Sequence, residues 1–109
     1  MAEQHSYEIE KRERIAETPT LRVSVLTLAP GQCVPWHYHN EVTDTFFCLE
    51  GPMVVETQGG RSKTELAPGD TYAVPQRKAH YVRGKDGGRC KFLIVQGVGN
   101  YDFIPVDLK

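Results

Sequence analysis

No apolar run in this 109-residue chain is long enough to cross a bilayer. Even Phe92 to Val95, among the longest, is a fraction of the ~20 residues a spanning helix needs. The first residues, MAEQHSYEIEKRER, lack the apolar stretch and the small-residue cleavage site of a secretory leader. Charge of one sign is missing as well. Thirteen basic residues against 14 acidic ones leave a net charge of −1, so no overall field argues for nucleic acid or an anionic membrane. Cysteine is sparse: Cys33, Cys48 and Cys90 cannot all pair within the chain, and their spacing fits neither a zinc knuckle nor a CxxC redox motif. No segment carries a long helical period, and no repeat, low-complexity tract or linker divides the chain. These absences leave one small domain, residues 1–109, with a soluble, cytoplasmic protein as the expectation.

What the chain does have is frequent punctuation. Pro30-Gly31, Gly51-Pro52, Gly59-Gly60, Pro68-Gly69, Gly84 and Gly87-Gly88 cut it into short pieces. Between the cuts lie runs rich in valine, threonine, tyrosine and phenylalanine: Leu21–Leu28, Pro35–His39, Thr43–Glu50, Met53–Thr57, Ser62–Leu66, Asp70–Val74, Ala79–Arg83 and Cys90–Gly97. Gln58-Gly59-Gly60-Arg61 reads as a tight hairpin turn, because two glycines accept positive φ at both central positions. Many short strands at even spacing predict an all-β sandwich or barrel. Ile9 to Ala16, mostly charged, is open between strand, frayed helix and tail. The C-terminal YDFIPVDL reads as a trailing strand that covers an edge or joins a partner, and the N-terminal YEIEKR could exchange between subunits in the same way.

The chemistry concentrates in Gly31–Gly51, GQCVPWHYHNEVTDTFFCLEG. Side chains on a strand alternate, so His37 and His39 point the same way, and Trp36 and Tyr38 point the other. An HxH pair alone could lie on an exposed face. His80, on a later strand-like segment, offers a third imidazole, whereas His5 sits in a polar stretch with no comparable setting. Imidazole nitrogen suits zinc and the other later first-row metals, and a carboxylate often completes such a site. Asp44 is the candidate, on the strand after the HxH segment, with Asp44, Phe46, Cys48 and Glu50 expected on one face. Glu41, in the turn, is the rival carboxylate, facing solvent or steadying a histidine ring. Phe46 and Cys48 are expected to wall the cavity, with Tyr72 or Gln96 supplying a proton or hydrogen bond. Arg77 and Lys78 would steer an anion at the barrel mouth. Cys48 and Cys90 read as small buried core residues, and Cys33, in the loop before the histidines, is the thiol to watch.

Both segments resemble the two motifs of the cupin superfamily. Gly31, His37, His39 and Gly51 fall at the spacings of the first motif, with Asp44 where the family normally has glutamate. Gly69, Pro75 and His80 fit the second, at 69–84, while Arg77 replaces a glycine and Gly84 an asparagine. The resemblance implies a double-stranded β-helix, or jelly-roll, barrel that is often dimeric, with three histidines and a carboxylate holding one divalent ion (Fe, Mn, Ni or Zn). Aspartate is roughly 1.5 Å shorter in reach than glutamate, against a coordination tolerance of about ±0.2 Å. Either the Asp44 strand lies closer in, or Asp44 acts through a water. The family spans dioxygenases, isomerases and decarboxylases as well as ligand-binding modules, so the fold alone does not choose. The reading is a small metal-dependent enzyme acting on an oxygenated metabolite. The alternative is a metal-braced domain that binds or senses a small ligand without catalysis, and a third possibility is histidines that merely hydrogen-bond inside the barrel.

Overall fold

The computed structural model describes residues 7–59 and 62–107, and it follows the punctuation closely. Among the described residues ten strands run in chain order: β1 (Lys11–Thr18), β2 (Leu21–Leu28), β3 (Cys33–Tyr38), β4 (Thr43–Glu50), β5 (Met53–Thr57), β6 (Ser62–Leu66), β7 (Thr71–Val74), β8 (His80–Gly84), β9 (Cys90–Gly97) and β10 (Ile104–Pro105). The helical content among the described residues is one 3₁₀ turn, Lys85–Gly87, so no helix is long and apolar enough to cross a membrane. The strands form two five-stranded antiparallel sheets, in the orders β1-β2-β9-β4-β7 and β10-β3-β8-β5-β6. Crossovers between the sheets make this a double-stranded β-helix barrel.

Alternation decides what lies inside. On β4, Asp44, Phe46 and Cys48 are buried, while Thr43, Thr45 and Phe47 are only partly so. From β9, Phe92 and Ile94 join them, and Leu26, Leu28, Met53, Val55 and Val82 complete an apolar core in the lower barrel. Glu50 departs from the expected face. A register shift against β9 between Cys48 and Glu50 ends the alternation, and Glu50 is exposed, accepting from Arg89 at 2.7 Å. Such an extra residue re-aims the side chains that follow it.

The segment left open at the N-terminus is a strand. It pairs with β2, with a register shift between Arg14 and Ala16, and Arg12 is its one residue that is not exposed. The C-terminal segment covers an edge of its own chain: β10 pairs with β3, and the Val106 amide donates to the Trp36 carbonyl at 3.0 Å. Thr57 pairs with Ser62 and Gly59 has φ 85°, as a tight turn requires. The other two residues assigned to that turn, Gly60 and Arg61, and also His5, lie outside the described residues. All three cysteines are free, with Cys48 and Cys90 buried in the core and Cys33 partly so. Burial pushes the Cys90 thiol up to about 12.

Candidate metal centre

His37 is the last residue but one of β3, His39 follows it by two residues, Asp44 opens the buried row of β4, and His80 starts β8. β3 and β8 are neighbours, and their register sets His37 directly beside His80. The four side chains are almost wholly buried, between 1 % and 3 % exposed. One donor atom from each lies within 4.8 Å of all the others.

The rings are oriented by backbone. Nδ1 of His37 meets the carbonyl of Pro35 at 2.8 Å, and Nδ1 of His80 that of Lys78 at 2.9 Å. His39 Nδ1 meets the carbonyl of Asp102. A carbonyl can only accept, so each Nδ1 carries a hydrogen, and a neutral ring then presents a bare Nε2. All three Nε2 atoms face Asp44 Oδ2, at 2.8 Å from His80, 3.0 Å from His39 and 3.9 Å from His37. Lone pairs aimed at an anion repel, so the arrangement calls for positive charge at its centre, either a proton on Nε2 or a shared cation.

Electrostatics agree. Burial opposes ionisation of Asp44, but the three imidazoles around it, His39 and His80 at hydrogen-bond distance, outweigh it and hold the carboxyl well below the usual range. For His39 burial also opposes the charge, and the bond and charge of Asp44 prevail, raising its pKa. Burial wins at His37, whose pKa falls. The donor set passes the chemical test for a transition-metal ion: imidazole nitrogens with a carboxylate suit zinc, iron, nickel and manganese. Bonds of about 2.1 Å place the donors around one ion between about 3.0 Å apart, side by side, and about 4.2 Å, opposite, close to the separations around Asp44 Oδ2. The cluster could therefore hold an ion, and aspartate's short reach is no obstacle. Asp44 sits beside Gln96 in the β4–β9 register, and the Gln96 amide donates to Oδ1 at 3.1 Å, turning Oδ2 toward the rings.

Of the residues expected around the cluster, Phe46 and Gln96 line the cavity next to it. Cys48 and Tyr72 belong to the apolar core below, not to the cavity wall. Arg77 and Lys78 line a separate open depression with Gln58, Gly59, Pro75 and Gln76. The Arg77 backbone serves the site instead: its amide donates to the His39 carbonyl at 2.7 Å. Glu41 faces outward and accepts from the Asn100 amide at 2.9 Å. Trp36, turned away from the cluster, stacks on Tyr81 with centroids 5.7 Å apart.

Sequence reasoning missed the lid over the cluster. Phe103 stacks on the His37 ring at 4.3 Å and 13°, and Tyr7 stacks on Phe103 at 5.8 Å. Asp102, besides its carbonyl bond to His39, accepts from the Asn40 amide and side chain at 3.0 and 2.7 Å. With Tyr7, Arg12, Tyr101 and Phe103 in its wall, the cavity leaves only about 20 Å³ for the centres of water-sized molecules, about one water's worth.

Comparisons with known proteins agree with this architecture. Residues 24–96 match the family model of the cupin domain. Over 53 residues, 49% of this chain and 15% of the relative, the sequence is 45% identical to quercetin 2,3-dioxygenase of Bacillus subtilis (strain 168). Over 58 residues it is 34% identical to L-ectoine synthase of Bordetella petrii, covering 53% of this chain and 43% of the other. The chain thus spans less than half the length of these curated relatives. A solved Klebsiella pneumoniae protein with a double-stranded β-helix domain superposes with a TM-score of 0.78 over 97% of this chain and 91% of its own, at 24% identity, a likeness of fold.

Proposed function

The chain belongs to the cupin domain family, and from that premise we propose that it is a small metal-dependent enzyme acting on an oxygenated metabolite. A diketone, keto acid or phenolic acid is the substrate class, and dioxygenation, isomerisation or decarboxylation the reaction type. The observation that carries the proposal is the convergence of three histidine Nε2 atoms on one buried carboxylate oxygen. His37, His39, Asp44 and His80 would hold the ion. When bound, Fe(II), Mn(II), Ni(II) or Zn(II) supplies Lewis acidity toward two adjacent substrate oxygens, and iron adds dioxygen chemistry.

The chain's own residues do the rest. Backbone carbonyls keep the three Nδ1 protons in place, so the Nε2 lone pairs stay available. Gln96 is committed to Asp44 and orients it; an amide has no acidic proton, so its part is positioning. Phe46, Val34 and Val82 keep the cavity apolar and exclude water, which strengthens every charge interaction inside it. The named activity of quercetin 2,3-dioxygenase, matched along 49% of this chain and 15% of the relative, supports the oxygenated-substrate class. A second copy of the chain is the expected partner.

The test is elemental analysis of anaerobically prepared protein, followed by a dioxygen-uptake and decarboxylation screen over small oxygenated acids and ketones. About one ion per chain is expected, with a melting temperature that falls on chelation. His37→Ala should lose the ion and at least a hundredfold in turnover. Turnover that survives His37→Ala would overturn the proposal, and saturable ligand binding without turnover would assign a sensing role instead.

A further inference from the structure

β1 presents seven of its eight residues to solvent and turns one, Arg12, inward. Arg12 pairs in register with Leu26, and both line the cavity that also contains His37 and Asp44. The other partly buried arginines find carboxylates: Arg22 reaches Glu17 and Arg83 reaches Glu56, as do the exposed Arg14, at Glu17, and Arg89, at Glu10 and Glu50. Arg12 meets no carboxylate among the described residues. Its Nη2 donates to the Tyr7 hydroxyl at 3.1 Å, a neutral partner that uses one of five donors, and the guanidinium lies 5.8 Å from the Tyr7 ring centroid. Leu26, Val34, Phe92 and Ile94 give the same wall an apolar part, and its polar groups, Asp44 and Gln96 among them, are bonded to each other and not to Arg12. A guanidinium kept half out of water beside such a wall is costly unless an anion meets it.

We propose that the cavity beside the histidine cluster binds a small carboxylate, whose anionic group pairs with the Arg12 guanidinium. The planar fork of arginine matches the two oxygens of a carboxylate, and a single guanidinium balances the charge of that monoanion better than that of phosphate. The about 20 Å³ left for water centres is too little for an organic acid in the described conformation. The acid therefore takes the place of the Tyr7 hydroxyl on Arg12, and the Tyr7–Phe103 stack swings off the His37 ring to admit it. This inference rests on the cluster being a small-molecule site, and it moves the anion contact from Arg77 and Lys78 to a residue 65 positions earlier than the first of them in the sequence.

Calorimetric titration of formate, acetate, oxalate and pyruvate into the full chain tests it, with acetamide, pyruvamide and inorganic phosphate as controls. At least one acid should bind saturably and, where an amide counterpart exists, at least tenfold tighter than it. Arg12→Gln should weaken that acid at least tenfold and Arg12→Lys by less, with unchanged circular dichroism and unchanged metal content on the same samples. No acid binding, an amide binding as tightly as its acid, phosphate binding more tightly than every acid, or an Arg12→Gln protein indistinguishable from wild type would each overturn it. Arg12-dependent acid binding in a protein without metal would remove the metal reading and leave the anion site standing.

Discussion

Arg77 has φ 65°, in the left-handed region, where its Cβ crowds the backbone at a cost of roughly 1–2 kcal/mol. The second cupin motif places glycine at this position, and the conformation explains why: the turn must bring the residue-77 amide back to the His39 carbonyl. Glycine there gives up about 0.4–1 kcal/mol of unfolded-state entropy. Arg77→Gly is therefore expected to raise the unfolding free energy by about 0.5–1 kcal/mol, read from denaturant melts. A loss of stability would mean that the arginine side chain contributes more than the backbone strain. Gly84 is the converse departure. Its φ of −71° suits any residue, but a Cβ there would lie 1.9 Å from the Gly88 carbonyl oxygen. The family's asparagine has no room beside this 3₁₀ turn.

Between residue and molecule, the segment from Tyr101 to Val106 acts as a strap across the centre. β10 anchors it to β3, Phe103 rests on His37, and Asp102 ties both the His39 ring and Asn40. Groups that hold a ligand's second nitrogen typically change metal affinity 10–100-fold when lost. Asp102→Ala keeps the backbone carbonyl but releases its two bonds to Asn40, so the His39 ring loses a fixed partner. At least a tenfold loss of metal in competition with a chelator is expected, with the fold intact by circular dichroism. Unchanged retention would show that β10 alone positions the carbonyl.

Across the molecule, the outer face of the first sheet carries an apolar row. Phe47 pairs in register with Leu93, and Thr45 with Val95, all on the side away from the barrel interior and all partly exposed, while Leu49 is 44% exposed. A row of this kind is self-complementary across a two-fold axis, which suits a dimer of identical chains. Light scattering should give twice the mass of the chain, and Phe47→Glu should halve it without loss of secondary structure. A monomeric wild type would show that the row is simply an exposed sheet face.

Most of the barrel was legible along the chain because strands and turns are local. Glycine and proline break the backbone wherever they fall, and alternation on β4 put Asp44, Phe46 and Cys48 on the buried side without reference to any neighbour. The convergence of His37, His39, Asp44 and His80 was legible for a related reason: the spacing within two short segments sets which face each residue takes. What escaped depends on distance in sequence. The bond from His39 to the Asp102 carbonyl spans 63 positions, and a backbone carbonyl leaves no mark in residue type. Arg12 looked like one charge among many until β1 was laid against β2 and turned it toward the cavity. Arg77 and Lys78 sit two or three residues from His80 in the chain yet open onto a different depression, because a left-handed turn intervenes. Local stereochemistry selects the elements and their inward faces, whereas the wall and lid of the centre follow from which distant strands the packing brings together.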